Sequence, residues 1–341
     1  MGARSEFYLF KNDGEGNPTD VPFDNAGFMD AAPEDKGEDV RREICLTLED
    51  MGVTPQSSHH SGGPGQNIIE FCHSSAVHAA DDVITYKSVV KTMAAHNGLT
   101  ASFDPIPIPG KDGNGFHITL TPMLREKDCS ENFLAGILAH AAEITAILNP
   151  TADSYRRLGV FGAPEFVSWS EKSRRCFAYK KAGQPAIEVR SPDSTTNPYL
   201  AYAALIYAGL DGYLKRTKLP KPDAARETSE KLPKSAEEAL QVFEKSSFIR
   251  NVFPEYFVRT FIQTLGARGR ACERGKADEK RYYPVQRSDR VRRAAGRGLH
   301  RRYADGRRVP ARFLRAERRR GAAALPAEQL RPCDHQHAAS R

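Results

Sequence analysis

The sequence has few cysteines and spaces none of them for a metal. The six, at Cys45, Cys72, Cys129, Cys176, Cys272 and Cys333, are scattered and include no CxxC pair. That spacing excludes zinc-ribbon chemistry and offers no disulfide framework, so reduced thiols are expected. Long apolar runs are missing as well. The two longest, Asn132–Leu148 and Tyr199–Leu214, are interrupted by His, Glu or Asp, and neither reads as a membrane span. Residues 1–10 contain no small-residue cleavage site and read at once as a strand, so no signal peptide is expected. There is no internal repeat. These absences point to a cytoplasmic protein with no membrane partner.

Acidic charge is short at one end of the chain only. Residues 266–341 hold 20 Arg and 2 Lys against 8 acidic residues, a net of +14. Residues 1–265 hold 28 basic and 35 acidic residues, a net of −7. The formal +7 of the whole therefore averages an ordinary acidic body and a basic tail. Past Thr264 no apolar period persists, and Ala, Arg, Gly and Pro dominate. The expected organisation is a catalytic-type domain over 1–265 and an Arg-rich low-order tail over 266–341. The tail has the composition of a GC-rich gene read out of frame. Any nucleic-acid contact would run through Arg268–Arg320 and would be salt-sensitive.

The body alternates helical and strand patterns. Glu6–Phe10 reads as a strand. Val40, Ile44, Leu48 and Met51 recur at helical steps within 38–51, and Gly52 stops the helix. Gly62–Gly65 is a sharp loop before an apolar strand at Ile68–Phe71. Ala79–Asn97 is a second helix, ended by Gly98. Leu99–Phe103 and Phe116–Leu120 read as strands around a Pro/Gly-rich loop. Ser130–Leu148 reads as one long buried helix. Ala186–Arg190 reads as a strand, and Pro198–Leu214 as a helix with Pro in its first turn. Ser235 and Glu238 have capping-box spacing, predicting a helix to about Lys245.

Five segments carry chemistry in their order. They are Glu6–Phe10; Ser58-His-His-Ser-Gly-Gly-Pro-Gly-Gln-Asn67; Gly113-Asn-Gly-Phe-His117; Asn149–Leu158 followed by Ala163-Pro164; and Ile187-Glu-Val-Arg-Ser-Pro-Asp193 followed by Asn197–Leu200. Together they resemble the glutamine synthetase family over roughly residues 5–265. The resemblance implies an α+β fold of the glutamine synthetase catalytic-domain type: a curved, mainly antiparallel sheet flanked by helices. It implies an ATP-dependent ligation of ammonia to the γ-carboxylate of glutamate through γ-glutamyl phosphate. The related γ-glutamyl-amine ligases share most of the motifs. Two Mg2+ or Mn2+ ions would bridge the phosphates and carboxylate, since hard cations take oxygen ligands with an occasional imidazole.

The resemblance also places residues. Glu6 matches a ligand of the first metal, and His117 and Glu188 match ligands of the second. Arg157, Arg174 and Arg190 match arginines on ATP phosphates or glutamate carboxylates, where planar multi-donor groups neutralise charge. Arg157 and Arg190 would face the substrate, and Arg174 and Arg190 the nucleotide. Gly113 matches a backbone contact for the substrate α-amino group. The implied partners are glutamate, ammonia, ATP and further copies of the chain in a homo-oligomer.

Several acidic groups of that pattern are replaced. Arg4, Ser61, Ile68 and Gly162 stand where the family has Glu. Ile106 replaces a Lys, Ser173-Arg-Arg175 replaces Asn-Arg-Ser, and a further expected Arg falls near Tyr179. A guanidinium a few Å from a divalent ion costs on the order of several kcal/mol at moderate effective dielectric. The first metal site is therefore expected not to form, and catalysis to be impaired. A non-catalytic scaffold that keeps the fold is the rival expectation. No stretch before Ser5 matches the family's small N-terminal β-grasp domain.

Overall fold

The computed structural model describes residues 1–124, 127–222 and 230–274, with side chains to 266. The elements below all fall within the unit Met1–Ala277. The Arg-rich stretch from 275 onward lies outside the described residues, as do the side chains of 267–274.

The fold is organised by its first strand, β1 (Gly2–Asn12), whose Phe7, Tyr8 and Leu9 are fully buried. Along one edge β1 pairs antiparallel with β4 (Gln66–Phe71), Arg4 opposite Glu70 and Tyr8 opposite Gln66. β2 (Pro18–Pro22) takes over beyond Phe10, and β3 (Pro55–His60) lies outside β4. The other edge forks. Residues Gly2–Ser5 pair with β6 (Phe116–Leu120), whereas Tyr8–Lys11 pair with β5 (Leu99–Ser102). From β6 the sheet continues through β11 (Ile187–Val189) and β10 (Ala178–Tyr179) to β9 (Trp169–Ser170). Only the β9–β10 pair is parallel among the described strands. A separate two-stranded ribbon joins β7 (Met123–Leu124) to β8 (Lys127–Asp128).

Strand alternation divides β1 between two environments. Ala3, Phe7 and Leu9 join the apolar core on the helix-covered face. Arg4, Glu6 and Tyr8 point to the opposite face. The helices are α1 (Glu38–Asp50), α2 (Ala76–His96), α3 (Ser130–Ala139), α4 (Ala141–Leu148), α5 (Ala152–Arg157), α6 (Pro198–Lys215), α7 (Ala236–Lys245), α8 (Ser247–Val252) and α9 (Glu255–Arg274). Tyr86 of α2 packs edge-on to Phe7, with ring centroids 6.2 Å apart, and donates to the Ser5 carbonyl at 2.9 Å. α3 and α6 meet backbone to backbone: a Cβ at Gly136 would lie 2.2 Å from the Ala208 carbonyl oxygen, so only glycine fits.

Most expected elements form within a few residues of their predicted bounds. β1 is longer than Glu6–Phe10, because Gly2–Ser5 find β6 as a partner. Ser235 caps α7 by accepting from the Glu238 amide at 3.1 Å, but the Glu238 carboxylate takes the Lys234 amide instead. The predicted single helix Ser130–Leu148 is two, bent by 79° at His140. There His140 leaves helical geometry (φ −106°, ψ 9°), hydrogen-bonds Glu143 and Asp211, and stacks on Phe248 at 3.8 Å between ring centroids. Apolar periodicity continues across the bend and so conceals it. The last helix, α9, runs to Arg274, past the point where the basic composition begins. No single helix among the described residues is long and apolar enough to cross a membrane.

The bend carries a pH dependence. Burial opposes charge on His140, but its bonds to Glu143 and Asp211 outweigh burial and raise its pKa above the ordinary value. Such a group adds stability that is full below the unfolded pKa of about 6.5 and is lost as pH rises through the folded value. Urea unfolding of His140→Gln should therefore show a deficit of about 1–2 kcal/mol near pH 6. That deficit should shrink by pH 9.

Candidate functional site

The fork in β1 builds the site. Where β6 and β5 part, Glu6 is left without a regular cross-strand partner on that edge. Its amide donates to the Gly115 carbonyl at 3.0 Å, and its Oε2 accepts the Gly115 amide at 2.7 Å. Its Oε1 accepts from the Ser61 hydroxyl at 3.2 Å. Burial raises the Glu6 pKa, against the lowering effects of the Gly115 amide and of Arg157, Arg4 and Arg190. Gly115 has to be glycine: an added Cβ would stand 2.7 Å from His117 Nε2 and 3.2 Å from Glu6 Oε2.

Two residues earlier on β1, Arg4 sits directly opposite His117 of β6. Its Nε and Nη2 lie 3.2 and 2.9 Å from His117 Nδ1. The same Nη2 donates to Glu188 Oε1 of β11 at 2.8 Å. Arg190 donates to that oxygen too, and Arg174 Nε lies 3.8 Å from Glu188 Oε2. One carboxylate thus faces three guanidiniums. Burial, followed by the charges of Arg190 and Arg4, pushes the His117 pKa well below its ordinary value. The ring is neutral, and with Nδ1 accepting from Arg4 its proton belongs on Nε2.

Beside this cluster lies a cleft of about 70 Å³, whose lining includes Glu6, Asp112, Gly113, His117, Arg157 and Arg190. A cavity needs about 10–15 Å³ on this measure to hold one water, so the cleft has room for several waters or a small polar group. Arg157, at the end of α5, is 4% exposed. Its Nη1 donates to the Ser191 carbonyl at 3.0 Å, and its Nη2 to the Pro192 and Arg190 carbonyls at 3.0 and 3.3 Å. It ties down the chain that carries Arg190. Arg190 keeps one buried donor, Nε, without a partner among the described residues. Arg174 is half exposed and lies over the Tyr179 ring at 5.1 Å.

This arrangement has close relatives. The family model for the glutamine synthetase catalytic domain matches residues 1–267. The chain belongs to the glutamine synthetase family. It is 36% identical over 292 residues to glutamine synthetases of Staphylococcus epidermidis and Staphylococcus aureus. Those alignments take in 77% of this chain and 66% of each relative, so the chain spans just under two thirds of their length. Among solved structures, a GmaS/ADP complex superposes with a TM-score of 0.71 at 25% identity, over 84% of this chain and 72% of the other. A Plasmodium falciparum glutamine synthetase has the same fold at a TM-score of 0.69 and 21% identity, over 83% of this chain and 74% of the other.

Within the glutamine synthetase frame, the residues expected at the site fall in one region. Glu6, Gly113, His117, Arg157 and Arg190 line the cleft, while Glu188 and Arg174 stand behind it. Sequence reasoning did not place Asp112 there; its carbonyl accepts from the Tyr8 hydroxyl at 2.5 Å. Asp112 adjoins Gly113 in a loop, and only its neighbour carried a recognisable motif. Arg4 was read as a loss at the first metal. The fold brings it instead to the His117–Glu188 pair assigned to the second.

The donor set does not fit two hard divalent cations. Such ions ask for about six oxygen ligands each. Here Glu6 and Glu188 already accept amide, hydroxyl and guanidinium donors, and the imidazole nitrogen facing Glu188 accepts from Arg4. Ile68, directly opposite Glu6 on β4, is 3% exposed and supplies no ligand.

The Arg157 contacts can be measured directly. Arg157→Met removes its bonds to the 190–192 carbonyls, leaving Pro192 with the Phe116 amide, and burying an unsatisfied carbonyl costs about 1–3 kcal/mol. A loss of at least about 2 kcal/mol in urea unfolding is expected. A change within 0.5 kcal/mol, the range of an ordinary surface substitution, would refute the tying role.

Proposed function

We propose that this chain is the catalytic portion of an ATP-dependent glutamate–ammonia ligase, working in an impaired form. One observation carries the reading: buried Arg157 and half-buried Arg190 converge with Gly113 on one cleft. Arg190, with its spare Nε, would meet the γ-carboxylate and the phosphate transferred to it, giving γ-glutamyl phosphate. Planar guanidinium contacts neutralise charge on such a group. The Gly113 backbone would meet the α-amino group. Ammonia would then displace the phosphate. No side chain activates it in this scheme, because Gly162 holds that position. Family members use Mg2+ or Mn2+, and the donors here do not fit such ions. The relative solved with ADP supports nucleotide binding. Exposed Tyr199, Tyr207, Leu210 and Leu214 on α6 support assembly with further copies.

A γ-glutamyl-amine ligase would use the same steps with an amine as nucleophile. A non-catalytic scaffold is favoured by Arg4 and Ile68, which replace negative charge with positive or apolar groups. A γ-glutamyl hydroxamate assay separates turnover from its absence. Loss of one preorganised electrostatic group costs about a hundred- to a thousandfold. The rate should therefore fall at least about a hundredfold below that of the staphylococcal relatives and disappear in Arg190→Ala. No hydroxamate above the protein-free blank would leave the scaffold reading standing.

A further inference from the structure

The exchange at residue 4 does more than delete a ligand. His117 Nδ1 and Glu188 Oε1 stand 3.7 Å apart. Two ligands each about 2.1 Å from one ion stand about 3–4 Å apart, so the pair is spaced for a shared cation. The cation on it is the Arg4 guanidinium, at 2.9 Å from the nitrogen and 2.8 Å from the oxygen.

Three features hold Arg4 there. Its Cα lies directly opposite His117 in the β1–β6 register, so the side chain has no other row to occupy. The strand cannot slip, because a one-residue shift would turn Phe7 and Leu9 out of the core. A guanidinium also stays charged at any working pH. A divalent ion entering here would have to displace one cation and remain beside Arg190, which pairs with the same carboxylate oxygen.

We propose that Arg4 is a built-in cation that replaces a divalent metal at the His117–Glu188 pair, so that the site holds its positive charge covalently and takes up no metal there. The proposal rests on the glutamine synthetase reading of the cleft, but it concerns ion binding rather than turnover. Its consequence is reciprocal: a carboxylate at residue 4 should free the pair and add a third ligand beside it.

The test is a Mn2+ titration of the full chain, following free Mn2+ by electron paramagnetic resonance. Wild type and His117→Ala should give the same isotherm, with no His117-dependent ion. Arg4→Glu should bind one additional Mn2+ at least tenfold more tightly than any wild-type site, and lose it when combined with His117→Ala. Arg4→Lys, which keeps the charge, should resemble wild type. Arg4→Ser, which removes only the cation, serves as the second probe if Arg4→Glu does not fold by circular dichroism. Wild-type binding that falls in His117→Ala would overturn the proposal, because Arg4 would then swing aside for a metal. Folded Arg4→Glu and Arg4→Ser that gain no ion would overturn it equally. Neither readout depends on hydroxamate formation. A chain without ligase activity can therefore still confirm the built-in cation, and an active one can still refute it.

Discussion

The register of β1 is the constraint on which the rest depends. This one strand serves both the core and the cleft, with Phe7 and Leu9 on one face and Arg4, Glu6 and Tyr8 on the other. Burial of a large apolar side chain is worth about 1.5–3 kcal/mol. The hydrophobic face therefore sets the register, and the register sets which charges meet. Its forked edge then decides spacing. Glu6 falls where β6 leaves and β5 has not yet begun, and the Gly115 backbone fills the gap.

The charges that meet there are arranged around Glu188. Arg4, Arg190 and Arg174 face one carboxylate, which would repel one another strongly without it. Removing one partner of a buried pair costs more than the pair contributes, because the other charge is left uncompensated. Arg157 stays out of this competition by spending its donors on the 190–192 carbonyls. A group that the family resemblance assigns to substrate is thus also a structural tie for Arg190.

Much of this was legible in the sequence, and the limits have physical reasons. Helices with a clear local signal, such as α1 with its apolar period and α6 with Pro in its first turn, emerged near their true ends. The bend at His140 did not, because the apolar pattern runs through it while the hydrogen bond and ring stacking that hold it come from Asp211 and Phe248, far along the chain. Short strands such as β9 and β10 were missed, since two residues carry no period. Motifs located Glu6, His117, Glu188 and Arg190 by position. They could not show that Arg4 lies against His117 rather than Glu6, because adjacency across β1 and β6 is set by pairing and not by spacing.

The four acidic replacements also make more sense as a set than singly. Arg4 adds a positive charge next to His117. Ser61 offers Glu6 a neutral hydroxyl where a second carboxylate would repel it. Ile68 is buried opposite Glu6, where an unpaired carboxylate would be costly. Gly162 adopts φ +84°, a backbone conformation that a Glu would occupy only under strain. Scattered loss would leave orphaned charges behind it, yet both oxygens of Glu6 are hydrogen-bonded and both oxygens of Glu188 face guanidinium nitrogens. A site in which one carboxylate draws three guanidiniums after four changes is arranged around an internal cation, and it is that cation, more than any missing ligand, that sets this cleft apart from one designed around metal ions.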